Sequence, residues 1–226
     1  HTGINVYDAV PTGMTYVASS TEISAPEYFT FEWNDDFRSR FYNNNFGNTN
    51  FVDNWDESES GDNPLAGNIQ IIYDPLRGST YSLRFQGGSS VQWIRRSADL
   101  SAFTNGTLSF SYRMESMEAG DVALLQVTSN GYGGTWHTLQ RFDGPADETD
   151  YTSVSFDLRP YISTSVAFRI ATTNTAMGLG DIVWIDDFRV TASKDTYTTR
   201  AGGLPPWLAT NLFLRPGDSA IITYRA

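Results

Sequence analysis

The sequence predicts an all-β protein built as an antiparallel sandwich or jelly roll, and three observations support this fold class. From about residue 68 onward, apolar and polar residues alternate with a period of two, as in "TLSFSYR" (107–113) and "SVAFRIA" (165–171). Such alternation is typical of strands with one buried and one solvated face. Clusters of Gly, Asn, Asp or Pro separate the runs, and no segment carries a sustained helical stripe.

The middle of the chain contains a regular series of such runs. In chain order the predicted strands are "NIQIIYD", "YSLRFQ", "SVQWIRR", "TLSFSYR", "DVALLQVTS", "TWHTLQRF", "SVSFDL", "SVAFRIA" and "DIVWIDDFRV". Turn clusters such as "RGST", "QGGSS", "FTNGT" and "SNGYGGT" lie between them. Short strands at this spacing, joined by turn residues, indicate a jelly roll.

The two ends of the chain form a separate pattern. "GINVYDAVPTGMTYVASS" (3–20) is predicted to be two strands around a Pro-Thr-Gly turn, and "NLFLRPGDSAIITYRA" (211–226) two strands around a Pro-Gly-Asp turn. Polar or Pro/Gly-rich stretches separate both ends from the middle. We therefore predict a discontinuous outer domain, residues 1–27 and 195–226, with a jelly roll inserted at 28–194. A linear order of modules is the alternative.

These segments resemble two known groups of extracellular domains. The ends are similar to an immunoglobulin-like repeat of bacterial and archaeal surface proteins, with the pattern D-x-x-P-x-G-x-x-[YF]-V at 8–17 and L-x-P-G-x-S near residue 214. The middle resembles MAM-like and carbohydrate-binding-module jelly rolls in "NDDF", "YSLRFQ", "RRSADLS", "TLSFSYRM", "GGTWHTL" and "WIDDFRV". The resemblance implies a jelly-roll sandwich plus a partial immunoglobulin-like β-sandwich built from both chain ends. The strands that normally precede the repeat's first motif are missing, which implies an open sheet edge.

Two apolar strands carry adjacent aspartates, "FEWNDDF" (31–37) and "WIDDFRV" (184–190). Strict alternation places Asp35 on the core side with Trp33, and it places Asp186 on the core side with Phe188. An inward-facing carboxylate without a partner is costly to keep ionised. The two pairs therefore require a partner of opposite charge.

A calcium ion is the predicted partner, because Ca²⁺ binds about six to eight oxygen atoms in loose geometry. The first and last strands of a jelly roll commonly lie side by side, and the resemblance implies a structural Ca²⁺ bound by an aspartate of the closing motif. We predict a structural calcium site with the ligands Asp35, Asp36, Asp74, Asp186 and Asp187. Salt bridges to arginine, or capping of strand ends, are the alternative.

The sequence gives little support for catalysis. The acidic cluster "NWDESESGDN" (54–63) has no strand pattern around it, which favours a solvated loop over further metal ligands or a catalytic carboxylate pair. His137 lies in a predicted strand, His1 is the only other histidine, and no G-x-S-x-G motif is present. We therefore predict that the protein is not an enzyme.

Aromatic residues suggest a carbohydrate partner. The chain has six tryptophans and twelve tyrosines, whose rings can stack on sugars. Trp55 and Trp136 are the candidate carbohydrate-binding residues. Tryptophans of a sandwich are more often buried in its core, and Trp93 alternates with Val91 as core residues do.

Charge excludes two classes of partner. Only 15 Lys and Arg stand against 26 Asp and Glu, and the net charge of −11 repels nucleic acid phosphates and anionic lipids. No apolar run approaches the roughly 18 residues of a membrane span, so membrane insertion is not expected.

These observations predict a non-catalytic extracellular structural or adhesive protein, secreted or at the cell surface. It would be a subunit of a surface assembly or fibre, completed by β-strand donation and made rigid by calcium. Its partners would be other copies of itself or other surface proteins, with glycans as further candidates. The alternative is a carbohydrate-binding module of a larger secreted protein.

Overall fold

The computed structural model describes residues 3–59, 61–77, 80–173, 177–205 and 207–225, and it confirms the predicted all-β fold class. The only helical element in these ranges is a 3₁₀ turn, Arg159–Tyr161, and none is long and apolar enough to cross a bilayer. The strands are β1 (Ile4–Tyr7), β2 (Glu22–Asp35), β3 (Asp56–Glu57), β4 (Ile69–Tyr73), β5 (Tyr81–Gln86), β6 (Trp93–Ala98), β7 (Asn105–Glu115), β8 (Val122–Thr128), β9 (His137–Asp143), β10 (Thr152–Asp157), β11 (Val166–Thr172), β12 (Ile182–Ala201), β13 (Trp207–Leu212) and β14 (Ile221–Thr223).

The chain divides into two compact units. The outer unit contains residues 1–29 and 194–226, and the inner unit contains residues 30–193. The long strands β2 and β12 each contribute residues to both units.

The inner unit is a sandwich of two antiparallel sheets. One sheet has the strand order β3-β6-β11-β8-β9. The other has the order β10-β7-β12-β2, and β5 pairs with both β12 and β4. β2 and β12, which begin and end this unit, are therefore neighbours, as expected for a jelly roll. Side chains of both sheets meet in one core that includes Phe85, Ile94, Phe110, Phe168 and Phe188.

A β-bulge interrupts the alternation of β12 at its two aspartates. Before the bulge Ile185 lies in the core, whereas after it Phe188 does, so the core-facing position changes from odd to even residues. Asp187 has a φ of 54°, in the left-handed region that Asp tolerates better than most residues. Asp186 pairs with Ser111 of β7 and lies on the face opposite Phe188, so strict alternation was wrong here.

The outer unit contains much less buried apolar surface. β1 pairs with β13, and β14 pairs with the first residues of β2. Its buried apolar cluster consists of Ile23, Ala25, Ala209 and Leu212. The immunoglobulin-like assignment of this unit, with its limits at 1–27 and 195–226, stays a prediction.

Candidate functional site

The structure places a buried arginine beside the first of the predicted calcium ligands. Asp35 is fully buried, and its Oδ2 accepts hydrogen bonds from Arg96 Nη1 at 3.1 Å and from Trp55 Nε1 at 3.0 Å. Arg96 is also fully buried, and its Nε donates to the carbonyl oxygen of Asp53 at 3.0 Å. Burial raises the pKa of Asp35, and the charge of Arg96 opposes that rise.

Asp36 lies at the surface and pairs with the nearest arginine in the sequence. Its Oδ1 accepts a hydrogen bond from Arg38 Nε at 2.8 Å. The two neighbouring aspartates of "NDDF" therefore have different roles, because only Asp35 faces the interior.

Asp74 forms a bidentate ion pair with Arg113 of β7, in the sheet that contains β12. Arg113 donates to it from Nε at 2.8 Å and from Nη2 at 2.7 Å, and the Tyr151 hydroxyl donates at 2.6 Å. Burial alone would raise the pKa of Asp74, but the hydrogen bonds from Arg113 and Tyr151 hold it below its ordinary value. The carboxylate is thus ionised and fully partnered.

Asp186 and Asp187 lie beside this pair and share an arginine. Asp186 Oδ2 accepts from Ser82 Oγ at 3.2 Å and lies 3.6 Å from Arg77 Nη1. Arg77 Nη2 is 3.7 Å from Asp187 Oδ2. Burial raises the pKa of Asp186 to about 6. Tyr151 links the two parts, because its hydroxyl is 2.6 Å from Asp74 and 3.3 Å from Ser82.

The five predicted ligands therefore fall into separate settings. Asp74, Asp186 and Asp187 belong to one network, whereas Asp35 and Asp36 each have their own arginine. This arrangement corresponds to the alternative in which arginines, rather than a calcium ion, balance the charge of the aspartates. A calcium ion bound by these five residues stays a prediction.

A different group of carboxylates lies just beyond the paired ends of β7 and β12, where Glu115 faces Ile182. Glu118, Asp121 and Asp181 have ligand oxygens within 4.8 Å of one another, and in the described ranges they are the only three acidic or histidine side chains grouped this way. Asp121 and Asp181 are buried and accept backbone hydrogen bonds from Glu118 N and Gly178 N. Hydrogen bonding and charge repulsion with Asp181 raise the pKa of Glu118. The acidic group could bind a metal ion.

One carboxylate of the acidic stretch 54–63, that of Glu57, is buried rather than solvated. Glu57 is only 5% exposed, and it accepts hydrogen bonds from the Tyr42 hydroxyl at 3.0 Å and from Asn63 N at 2.9 Å. Burial raises the pKa of Glu57 to about 7. Glu59 accepts from Asn68 N at 2.7 Å. The expectation of a solvated loop was therefore wrong for Glu57, because these bonds fold its carboxylate inward.

The outer face of the five-stranded sheet carries a row of polar side chains across all five strands. The registers align Arg95 with Arg169, Arg169 with Gln126, and Gln126 with Thr138. Asp56 of β3 faces Arg95 and accepts its Nε at 2.7 Å. Arg169 Nε donates to Gln126 Oε1 at 2.8 Å. The sheet thus holds long polar side chains in fixed relative positions.

Three aromatic rings frame this row. The guanidinium carbon of Arg95 lies 4.1 Å from the ring centres of both Trp93 and Tyr132, and that of Arg169 lies 4.3 Å from the ring centre of Trp136. The three rings and both arginines are partly exposed, whereas Gln126 between them is only 9% exposed. We call the set the platform, which consists of Trp93, Arg95, Gln126, Tyr132, Trp136 and Arg169.

The platform changes how the tryptophans are interpreted. Trp136 lies on it, whereas Trp55 is 2% exposed and donates to Asp35, so its ring face is closed to a sugar. Trp93 is partly exposed with Arg95, because Ile94 and Arg96 are the residues of β6 that point inward. The period-two alternation of β6 could have shown that Trp93 and Arg95 share the outer face. The consecutive residues Arg95 and Arg96 made this pattern hard to recognise, because one of them faces inward.

Comparison with known proteins gives distant structural likenesses only. No protein-family model matches the chain, and no curated protein sequence does. One similar structure is a family 61 carbohydrate-binding module in complex with β-1,4-galactotriose, at 14% identity and a TM-score of 0.43, covering 60% of this chain and 86% of that one. A family 22 xylan-binding domain from Paenibacillus barcinonensis has 11% identity and a TM-score of 0.42, covering 70% and 92%. The K3 cleaved adhesin domain of Lys-gingipain from Porphyromonas gingivalis has 15% identity and a TM-score of 0.42, covering 61% and 91%. The function therefore has to be argued from this chain's own residues.

Proposed function

We propose that the inner unit is a non-catalytic glycan-binding module whose platform contacts a polysaccharide chain. The observation that carries this proposal is the row of polar side chains across five strands, framed by Trp93, Tyr132 and Trp136. Sugar-binding surfaces need aromatic area for the apolar faces of the rings and directed donors for the hydroxyl groups. The platform supplies both in a fixed arrangement.

The donors of the platform remain available for a ligand. Arg169 uses Nε for Gln126, and no bond from its two terminal nitrogens to a described residue is present. Gln126 Nε2 has only a long contact of 3.4 Å to Thr138 Oγ1. Because an arginine stacked on a ring keeps its donors in the plane of the guanidinium, the terminal nitrogens of the partly exposed Arg169 can reach sugar hydroxyls.

A secreted or cell-surface location belongs to this proposal, since extracellular glycans are accessible there. A structural Ca²⁺ at Glu118, Asp121 and Asp181 belongs to it as well. Hard cations bind carboxylate oxygens, and no arginine or lysine of the described chain forms an ion pair with these three residues. Calcium would remove the repulsion between these three carboxylates, two of which are buried.

The test is binding to a panel of plant and microbial polysaccharides by affinity electrophoresis and calorimetry. Trp136→Ala and Trp93→Ala should each weaken binding by about tenfold or more, because each removes apolar area worth roughly 1.5–3 kcal/mol when covered. Trp207→Ala is the matched control. Trp207 is 53% exposed, lies on β13 of the outer unit, and contacts Tyr7 of β1.

Two results would remove this proposal. The first is unchanged affinity in both platform variants while the control behaves like the wild type. The second is the absence of binding to every polysaccharide in the panel. Thermal melts of the three variants show whether a lost affinity reflects unfolding.

A second candidate function is attachment to another protein chain through the outer unit. Large apolar side chains are exposed on this unit, including Tyr7, Leu204, Trp207 and Ile221 at 53–66%. β14 ends its sheet in the described chain, so its outer edge can accept a further strand. This surface favours the adhesive assembly with strand donation that the sequence predicts. Sedimentation at increasing concentration tests it, and Ile221→Lys should reduce any self-association, whereas a monomer at all concentrations would contradict assembly from copies of this chain.

A further inference from the structure

Two arginines face each other at the centre of the platform. Arg95 of β6 and Arg169 of β11 are directly opposed in the antiparallel register. Like charges in this position repel each other and destabilise the pair of strands. The fold keeps them together although aspartate and glutamate outnumber lysine and arginine by 26 to 15 in the chain.

Only one of the two arginines has a carboxylate partner. Arg95 is paired with Asp56, and its Nη2 lies 2.6 Å from Oδ2. Arg169 has the neutral Gln126 and the ring of Trp136 instead, and it forms no ion pair with any residue of the described ranges.

A second carboxylate near this face, that of Asp53, is already engaged. Asp53 accepts from Ser97 N at 2.8 Å and Ser97 Oγ at 2.9 Å, and the Tyr132 hydroxyl also donates to it. Burial lowers the pKa of Arg169, and the neighbouring charge of Arg95 lowers it further. The neighbouring charge of Arg95 is therefore not offset at Arg169 by an ion pair with any carboxylate of the described residues.

We propose that the platform binds a glycan that carries oxyanion groups, either the carboxylate of a uronic acid or a sulfate ester, and that Arg169 holds this group. The proposal rests on the glycan-binding function argued above and adds the class of sugar. The two terminal nitrogens of Arg169 form a fork that matches an oxyanion with two parallel hydrogen bonds. Trp136 orients this fork by stacking on the guanidinium.

The negative net charge does not prevent such binding. Interactions between exposed charges fade beyond about 8 Å at physiological salt, whereas a direct contact with Arg169 is screened much less. Charge-assisted hydrogen bonds are roughly twice as strong as neutral ones. The positive charge of Arg169 therefore determines whether the platform prefers a charged glycan over a neutral one.

The experiment uses three polymers prepared from one backbone, measured by calorimetry with the full chain. They are polygalacturonate, the same polymer after carboxyl reduction, and the reduced polymer after sulfation. The wild type should bind polygalacturonate or the sulfated polymer at least about tenfold more tightly than the neutral polymer. Tighter binding of polygalacturonate identifies the bound group as a carboxylate, and tighter binding of the sulfated polymer identifies it as a sulfate ester.

Arg169→Gln tests the assignment to this residue. It removes the charge and should reduce the ratio between the affinities for the charged and the neutral polymers to less than about twofold. Arg159→Gln is the matched control, because Arg159 is an exposed arginine paired with Asp157 away from the platform. It should leave the preference unchanged.

The outcomes separate the two proposals. Binding to all three polymers with equal affinity overturns the oxyanion inference and leaves the glycan-binding function intact. A preference that persists in Arg169→Gln also overturns the inference, because another residue then holds the oxyanion. If no polymer binds, and the wider polysaccharide panel also fails, both proposals are wrong.

Discussion

Removing the charge of Asp35 tests how the inner unit holds a buried ion pair. Asp35→Asn keeps the size of the side chain but leaves Arg96 without a carboxylate at a fully buried position. Breaking a buried pair by removing one partner costs about 3–5 kcal/mol. For a unit of this size, each kcal/mol shifts Tm by roughly 2–4 °C, so we expect a loss of about 6 to 20 °C in calorimetry.

The adjacent aspartate supplies the control for this prediction. Asp36→Asn breaks an exposed pair with Arg38 and should cost at most about 1 kcal/mol. The double variant Asp35→Leu with Arg96→Met should recover much of the lost stability, because it leaves no uncompensated charge. If Asp35→Asn is no more destabilising than Asp36→Asn, then the pair does not have the role described here.

Three further predictions concern stability. Excess chelator should lower Tm by several degrees, since a ligand present at about 100 times its Kd adds roughly 2.7 kcal/mol, and Asp181→Asn should remove this difference. An unchanged melt in chelator would contradict the calcium proposal. Burial raises the pKa of Glu57 to about 7 from an ordinary value of 4.5. The protonated side chain therefore makes its full contribution to the free energy of unfolding below pH 4.5, and this contribution is lost as pH rises through 7. Urea titrations at pH 5 and pH 8 should therefore show a smaller decrease for Glu57→Gln than for the wild type, and equal decreases would refute the assignment. Asp187 has a φ of 54°, so Asp187→Val should cost about 1–2 kcal/mol in urea unfolding while Asp187→Gly costs much less; equal costs would refute the strained conformation.

Local sequence patterns determined much of the fold. Alternation and turn residues are properties of short segments, so the strands of the inner unit could be predicted one by one. The adjacency of β2 and β12 followed from the general arrangement of jelly rolls. The bulge at Asp187 could not be predicted, because it depends on how β12 fits against β7 and not on the sequence of β12 alone.

The candidate sites depend on pairing between distant segments. Glu118 and Asp121 are close in sequence, but Asp181 joins them only because Ile182 of β12 lies opposite Glu115 of β7. The arginines of the platform likewise meet through the register of β6 and β11. Each segment on its own showed that it carries acidic or basic residues. Which of these residues lie close together depends on the order and register of the strands.

The platform is tested most directly by the indole N–H resonances of the six tryptophans during a titration with a bound oligosaccharide in heteronuclear NMR. Trp55 and Trp184 are buried with their indole nitrogens bonded to Asp35 and Glu115, and Trp207 lies in the outer unit. The largest shifts should fall on Trp93 and Trp136, with small changes at the other four. Shifts confined to Trp207, or shifts at no tryptophan despite measured binding, would contradict the assignment of the platform as the glycan-binding surface.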